Sequence, residues 1–352
     1  MMKRLLCLTV LGVSAVTGAA YAGDQPWQRG TAMANELSRP TDSPRLTLDL
    51  TQSGSDEKAM AEMAGRNSEA GTSAPVLTLS DGGGPALHGF VDLRVSHAYI
   101  TPRGLVVENA GVVVQPLAGL VFDIYKGDGA IQSANIVAGV WSSLHSNHPN
   151  GDIWNECDLF LGVNVNFWEK LTFSATGMAW FFPEVGQTTE SNPSPEYNME
   201  FKLAYDDSAL LKEYALKPYI SLFWNFSGDS PVVLGERTFY IELGVSPSMT
   251  FKASEDYPIT VTFPTYFQFG DSSFWGTDPV SGDRSNIGLF STGIKLSMPL
   301  KFIPKEYGSW NAYAGFTYIH TCNPALTRAS EIIGGGDSRD KFLGYMGVGF
   351  GF

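Results

Sequence analysis

Residues 196–206 read EYNMEFKLAYD, and their order decides the fold. Tyr197, Met199, Phe201, Leu203 and Tyr205 take alternate positions, while Asn198, Glu200, Lys202 and Asp206 fall between them. A helix would scatter the two sets around its circumference, whereas a strand puts each on its own face. The same sorting recurs in LTFSATGMAWFF (171–182), RTFYIELGVS (237–246) and YPITVTFPTYFQFG (257–270). In the last, Ile259, Val261 and Phe263 oppose Thr260, Thr262 and Gln268.

Outward from this stretch, segments of the same kind lie near 87–99, 110–125, 131–144, 154–167, 170–182, 196–206, 216–227, 236–252, 258–270, 286–302, 309–322 and 341–352. They run roughly 11 to 17 residues, enough for a tilted strand to cross hydrocarbon, which takes about 9–11. Strands of soluble sandwiches are usually nearer five or six. Short turns follow the second, fourth, eighth and tenth segments: KGDG (126–129), WEK (168–170), ASEDY (253–257) and IPKEYG (303–308). Longer polar loops follow the odd ones from the third on, such as HSNHPNGD (145–152), PEVGQTTESNPSP (183–195) and DSSFWGTDPVSGDRS (271–285). Short periplasmic turns and long external loops mark an outer-membrane barrel. The connection DDSALLKEYA (206–215) is long for a periplasmic turn and reads as a helical turn. Trp168, Trp180 to Phe182, Trp310 and Tyr313 sit toward segment ends, where aromatic girdles meet the headgroups. The expected fold is all-β, an antiparallel up-and-down transmembrane barrel of about 12 strands over residues 86–352.

The start of the chain supports export. Lys3 and Arg4 precede an apolar run, Leu5 to Ala19, and Ala20-Tyr21-Ala22 has the small-x-small form of a cleavage site. Residues 1–22 therefore read as a signal peptide. The run is too short to span a bilayer as an anchor. Cys7 sits at its front, not at its end as a lipoprotein would need. Beyond it no apolar run of about 18 residues occurs, so the mature chain enters a membrane by strands or not at all. A mean hydropathy of -0.04 is what alternating lipid-facing and lumen-facing residues give. Residues 23–85 differ: rich in Ser, Thr, Gly, Pro, Glu and Arg, without an aromatic after Trp27, they end in Asp81-Gly-Gly-Gly-Pro85. Such a segment buries too little to offset its ordering entropy, and it reads as a disordered, flexible periplasmic extension with a candidate short helix at Asp56 to Gly65.

Charge excludes one class of partner. The chain has 23 basic and 36 acidic residues, and loss of Lys3 and Arg4 with the leader takes the basic count to 21, a net of −15. Nucleic-acid binding needs a basic face. An acidic chain is compatible with a cation-favouring lumen.

If the apolar parity faces lipid, the opposite parity lines the lumen. That set is Asp92, Arg94, Asp158, Asn164, Asn166, Glu200, Lys202, Glu242, Gln268 and Lys295. A charge facing lipid at mid-depth would cost ~2–4 kcal/mol, which gives the assignment its force. These side chains would set ion preference, or pair into salt bridges that rigidify a narrow lumen. Twelve strands leave room for small solutes and not for a wide pore.

Enzymatic signals are weak. His145 and His148 share a polar loop, where Asp152 completes a candidate metal set, but histidines there are more often solvated. His88, His97 and His320 stand apart in sequence, and no serine context resembles a rim nucleophile. Gly334-Gly335-Gly336 lacks the lysine and helix of a phosphate loop and reads as an external loop. Cys157 and Cys322 lie on non-neighbouring strands and are expected as free thiols. No catalytic residue, metal or cofactor is assigned.

The last segment, KFLGYMGVGFGF (341–352), puts Phe342, Met346, Val348, Phe350 and Phe352 on one parity. An apolar-alternating strand ending in Phe resembles the signal that bacterial outer-membrane proteins present to the barrel-assembly machinery. Five fragments carry a narrower likeness: Arg103-Gly104, VAGVWSS (137–143), ECDLFLGV (156–163), WFFP (180–183) and TFYIELGVS (238–246). Together they resemble the TorF-type porin family over much of residues 95–250. That resemblance implies an outer-membrane channel and brings no catalytic residues. The expectation is a Gram-negative outer-membrane channel for small hydrophilic solutes, favouring cations and embedded in outer-membrane lipid. The alternative is a non-conducting barrel whose loops at 145–152, 183–195, 271–285 and 323–340 bind a surface partner.

Overall fold

The computed structural model describes residues 46–47, 86–147, 153–183, 195–227, 237–252, 257–278, 280–332 and 336–352. The expected leader lies outside the described residues. So does the expected extension, apart from Leu46–Thr47, which pairs with Leu87 and Ala86 at the start of the barrel.

Twelve strands form the wall: β1 (Ala86–Ser96), β2 (Val113–Lys126), β3 (Ile131–His145), β4 (Trp154–Phe167), β5 (Leu171–Phe181), β6 (Glu196–Tyr205), β7 (Tyr219–Asn225), β8 (Phe239–Val245 and Ser248–Lys252), β9 (Pro258–Thr262 and Thr265–Gly270), β10 (Ile287–Pro299), β11 (Ser309–Thr321) and β12 (Asp340–Gly351). Each pairs antiparallel with the next, and β12 returns to β1. Closure leaves no open edge, so every ladder satisfies its backbone groups within the wall. At the seam the register runs from Tyr345↔Ser96 to Gly351↔Phe90. Gly89 and Phe352 extend it, each N–H donating to the other's carbonyl at 2.9 Å.

Prolines explain the two interrupted strands. Pro247 and Pro264 have no N–H to give the ladder. Their carbonyls still accept, from Phe263 N and Gly293 N, both at 2.9 Å. Because the alternation is kept across both breaks, Leu243, Met249 and Phe251 stay on the outer face.

Turn chemistry fits the ladder lengths. In the Trp168-Glu169 turn both residues have positive φ, 46° and 61°. Those are the signs of a type I′ hairpin, whose twist suits tightly paired strands. Between β6 and β7 the chain makes one helical turn, α1 (Ser208–Leu211), then a 3₁₀ turn at Lys212–Tyr214. The Asp207 carboxylate accepts from Leu216 N and Lys217 N at 3.0 and 2.9 Å and holds the connection closed.

Two connections at the opposite rim turn inward. After β1 the chain folds into the barrel as a small hairpin, Tyr99–Ile100 paired with Val106–Glu108. After β11, helix α2 (Pro324–Ile332) buries Ala325, Leu326, Ala329 and Ser330. Val106 N donates to Ser330 Oγ at 3.1 Å and links the two. Within the expected external loop 323–340, Ala325, Leu326, Ala329 and Ser330 are thus part of the barrel's filling, while residues 337–340 stay exposed. A third inward turn, at the start of 271–285, buries Phe274 and Trp275.

Candidate functional site

The alternation of the wall puts the two sets of side chains on opposite faces. Leu93, Leu159 and Met346 are 46%, 50% and 63% exposed on the outer face, while their neighbours Asp92, Asp158 and Tyr345 are buried inside. Of the ten expected lumenal residues, Asp92, Arg94, Asp158, Asn164, Glu200, Glu242 and Gln268 are buried, and Asn166, Lys202 and Lys295 are partly so. An apolar exterior around interior charge is stable only in hydrocarbon. The chain is a transmembrane β-barrel.

No family model matches the chain, and no curated protein matches it. Among solved structures, it is similar to an outer-membrane channel from Pseudomonas putida F1, at 9% identity and a TM-score of 0.38, over 76% of this chain and 95% of that one. OprB of Pseudomonas putida matches at 8% identity and a TM-score of 0.36, over 76% and 93%. The translocator domain of the autotransporter NalP from Neisseria meningitidis matches at 13% and 0.35, over 83% and 96%.

Nine of the ten expected residues fall into three groups along the barrel, and Asp158 lies with the rim group, opposite Trp180. On β6 to β9, Glu200 accepts from Ser221 Oγ at 2.5 Å. Glu242 accepts from Tyr219 OH at 2.6 Å and Gln268 Nε2 at 2.8 Å. Lys202 Nζ lies 4.1 Å from the centre of the Tyr219 ring, so the ring joins ammonium and carboxylate in one network. On the facing side, Tyr313 OH donates to Asp92 at 2.9 Å while Lys295 sits 4.4 Å over the Tyr313 ring. Arg94 lies 3.9 Å over the Tyr345 ring. Acid, base and aromatic thus alternate on both walls, and each charge has a partner that orients it. Toward the short turns, Asn164 donates to Asn135 and Asn166 to Ser133, both at 2.7 Å, and Asp123, opposite Asn135, lies 3.3 Å from His88.

Sequence reasoning missed the group at the external rim. Its centre is Arg103, carried inward by the 101–104 turn. Gly104 there has φ +88°, a left-handed conformation that favours glycine. The Arg103 guanidinium donates to both oxygens of Glu196, at 3.0 and 3.3 Å. It lies 4.7 Å from the Trp180 ring centre and 5.8 Å from that of Phe274. Tyr99 OH donates to Glu156 at 2.6 Å. His145, expected in a solvated loop, ends β3 and is buried, with Nδ1 3.1 Å from Glu108 and Nε2 2.8 Å from Ser143 Oγ. His148 and Asp152 lie outside the described residues. Among the described residues no group of three His, Cys, Asp or Glu is arranged for a metal. Cys157 and Cys322 are free thiols.

A signal for the rim group was present. The stretch 98–107, AYITPRGLVV, is too apolar for a loop in water, and ALTRA at 325–329 has helical apolar spacing. Both mark connections that turn inward. The inner wall also departs from a uniformly polar lining: Val113, Leu117, Val121 and Val137 face inward and are fully buried beneath Phe90, Trp141 and Phe160.

Proposed function

We propose that this protein is a channel through which small hydrophilic solutes diffuse across the outer membrane, with a preference for cations. The observation that carries the reading is the band of oriented charges at mid-barrel, Asp92, Arg94, Glu200, Lys202, Glu242 and Lys295, held on the inner wall by aromatic and hydroxyl partners. Burying that many ionisable groups is costly, and a dry plug would be more stable filled with apolar side chains. Their retention makes sense where water and ions pass. At the rim, four carboxyls, Glu108, Glu156, Asp158 and Glu196, stand with two basic groups, Arg103 and His145. The resemblance to the TorF-type porin family points the same way. The last strand, ending at Phe352, would present the chain to the barrel-assembly machinery.

The test is current across a planar bilayer containing the purified barrel in a salt gradient. The expected result is discrete conductance steps whose reversal potential favours the cation. Changing Glu200 and Glu242 to Gln is expected to shift that potential toward zero; an unchanged potential removes both from the conducting path. The inward hairpin and α2 favour a second reading, a closed barrel that binds a surface partner by its loops. Absence of conductance steps would select it.

A further inference from the structure

Four neighbouring strands carry one continuous row across the inner wall near the external rim. Trp141 on β3 is directly opposite Asp158 on β4, Asp158 opposite Trp180 on β5, and Trp180 opposite Glu196 on β6. All four are buried. Aromatic, acid, aromatic and acid in cross-strand contact make a surface that suits a flat organic cation: ring faces attract it and carboxylates fork onto it.

The protein's own Arg103 already occupies part of this surface. Its guanidinium is bidentate to Glu196 and stacks against Trp180. Arg103 does not belong to the wall; it arrives on the tip of the inner hairpin's loop, between Ile100 and Val106. It also leaves the row incompletely matched. Asp158 Oδ1 is buried with no hydrogen-bond partner among the described residues, and so is Trp141 Nε1. A buried carboxylate oxygen without a donor is destabilising, and a ligand donor in the row would remove that cost. Glu156 and Asp158 both lie within electrostatic reach of the guanidinium, so Arg103 faces more than one carboxyl of the rim.

We propose that the Trp141–Asp158–Trp180–Glu196 row is a binding site for small organic cations bearing a guanidinium, and that Arg103 is its tethered occupant. As a statement of what the channel admits, this rests on the channel reading; as a statement of binding, it does not. A solute guanidinium displaces Arg103 from Glu196 and donates to Asp158 as well, which frees the hairpin tip from the wall. A tethered competitor acts at an effective concentration in the ~mM range, so the free solute binds weakly until the tether is removed.

The experiment is calorimetric titration of the detergent-solubilised folded barrel with agmatine, a guanidinium-bearing amine, at constant ionic strength. Arg103→Ala is expected to bind agmatine at least ~10-fold more tightly than the wild type, as removal of a tethered competitor requires. Adding Asp158→Asn or Glu196→Gln to that variant is expected to abolish the gain. Should the alanine variant lose its heat-modifiable folded band, Arg103→Met, which keeps an apolar stem against Trp180, takes its place. Binding no tighter than in the wild type overturns the proposal, as does equal displacement of agmatine by potassium, which would mark a general acidic patch. Bilayer recording separates the two readings. Agmatine binding without any conductance overturns the channel and keeps the site; conductance that agmatine neither blocks nor binds to overturns the site and keeps the channel.

Discussion

Tyr99 shows how much rides on one buried hydroxyl. Its OH donates to Glu156 at 2.6 Å, both groups are buried, and the bond ties the inner hairpin to β4. Replacing Tyr99 with Phe leaves the carboxylate buried without that donor, a loss of about 1–3 kcal/mol. Pairing Tyr99→Phe with Glu156→Gln is expected to give less than the sum of the single effects, measured by urea unfolding in lipid vesicles; strict additivity would mean that the bond contributes nothing. Two aspartates in the loop after β9 act through the backbone. Asp271 accepts from Ser273 N at 2.8 Å, and Asp278 from Val280 N at 3.0 Å. These bonds, together with hydroxyl donors, hold both carboxyls below the usual aspartate range. A lowered folded value means that the contribution to loop order is present above the ordinary carboxyl pKa and fades as pH falls through the lowered one. Carboxyl NMR titration is expected to give midpoints below ~3.9 for both, and midpoints at that value would remove the two bonds from the account of the loop.

At the scale of the strand, alternation was enough to find every barrel element, because a wall between lipid and lumen sorts each residue by parity. Trp154–Phe167 is matched end to end. Elsewhere the ends moved for local reasons: β7 begins at Tyr219, beyond the expected 216, after Lys217 takes φ 50° ahead of Pro218. What alternation does not report is the content of the inner face. Along the middle of β2 and β3 that face is apolar, with Leu117, Val121, Val137 and Trp141, and a glycine makes room for its cover. A Cβ on Gly139 would lie 2.4 Å from the Phe160 ring and 2.5 Å from the Ala118 carbonyl oxygen. The backbone oxygen cannot move without breaking the β2–β3 ladder. Gly139→Val is therefore expected to cost about 1–3 kcal/mol as overpacking, read as a lower urea midpoint and a weaker heat-modifiable band. An unchanged midpoint would mean that the wall yields there.

For the whole molecule, the question is what stands between the mid-barrel charges and the outside. The answer was not legible in the strands, since it lies in connections whose lengths resemble those of ordinary loops. Only their composition, apolar at 98–107 and helical at 325–329, separates a filling from a surface loop. The inner hairpin touches four parts of the barrel at once: Tyr99 on Glu156, Arg103 on Glu196, the Pro102 carbonyl on Gln268 at 3.0 Å, and Val106 on Ser330 of α2. The hairpin's attachments are polar and apolar together, since Tyr99 and Leu105 are buried in the same aromatic filling as Leu326 and Ala329 of α2. Hairpin and α2 thus form one packed filling above the mid-barrel charges. Replacing 99–108 with a short Gly-Ser linker is expected to raise single-channel conductance several-fold and to leave the folded band intact. The substitution Ala329→Asp strikes the apolar contact instead and is expected to lower the urea midpoint. If removing the hairpin left the conductance unchanged, the constriction would have to lie lower, among Glu200, Lys202 and Glu242.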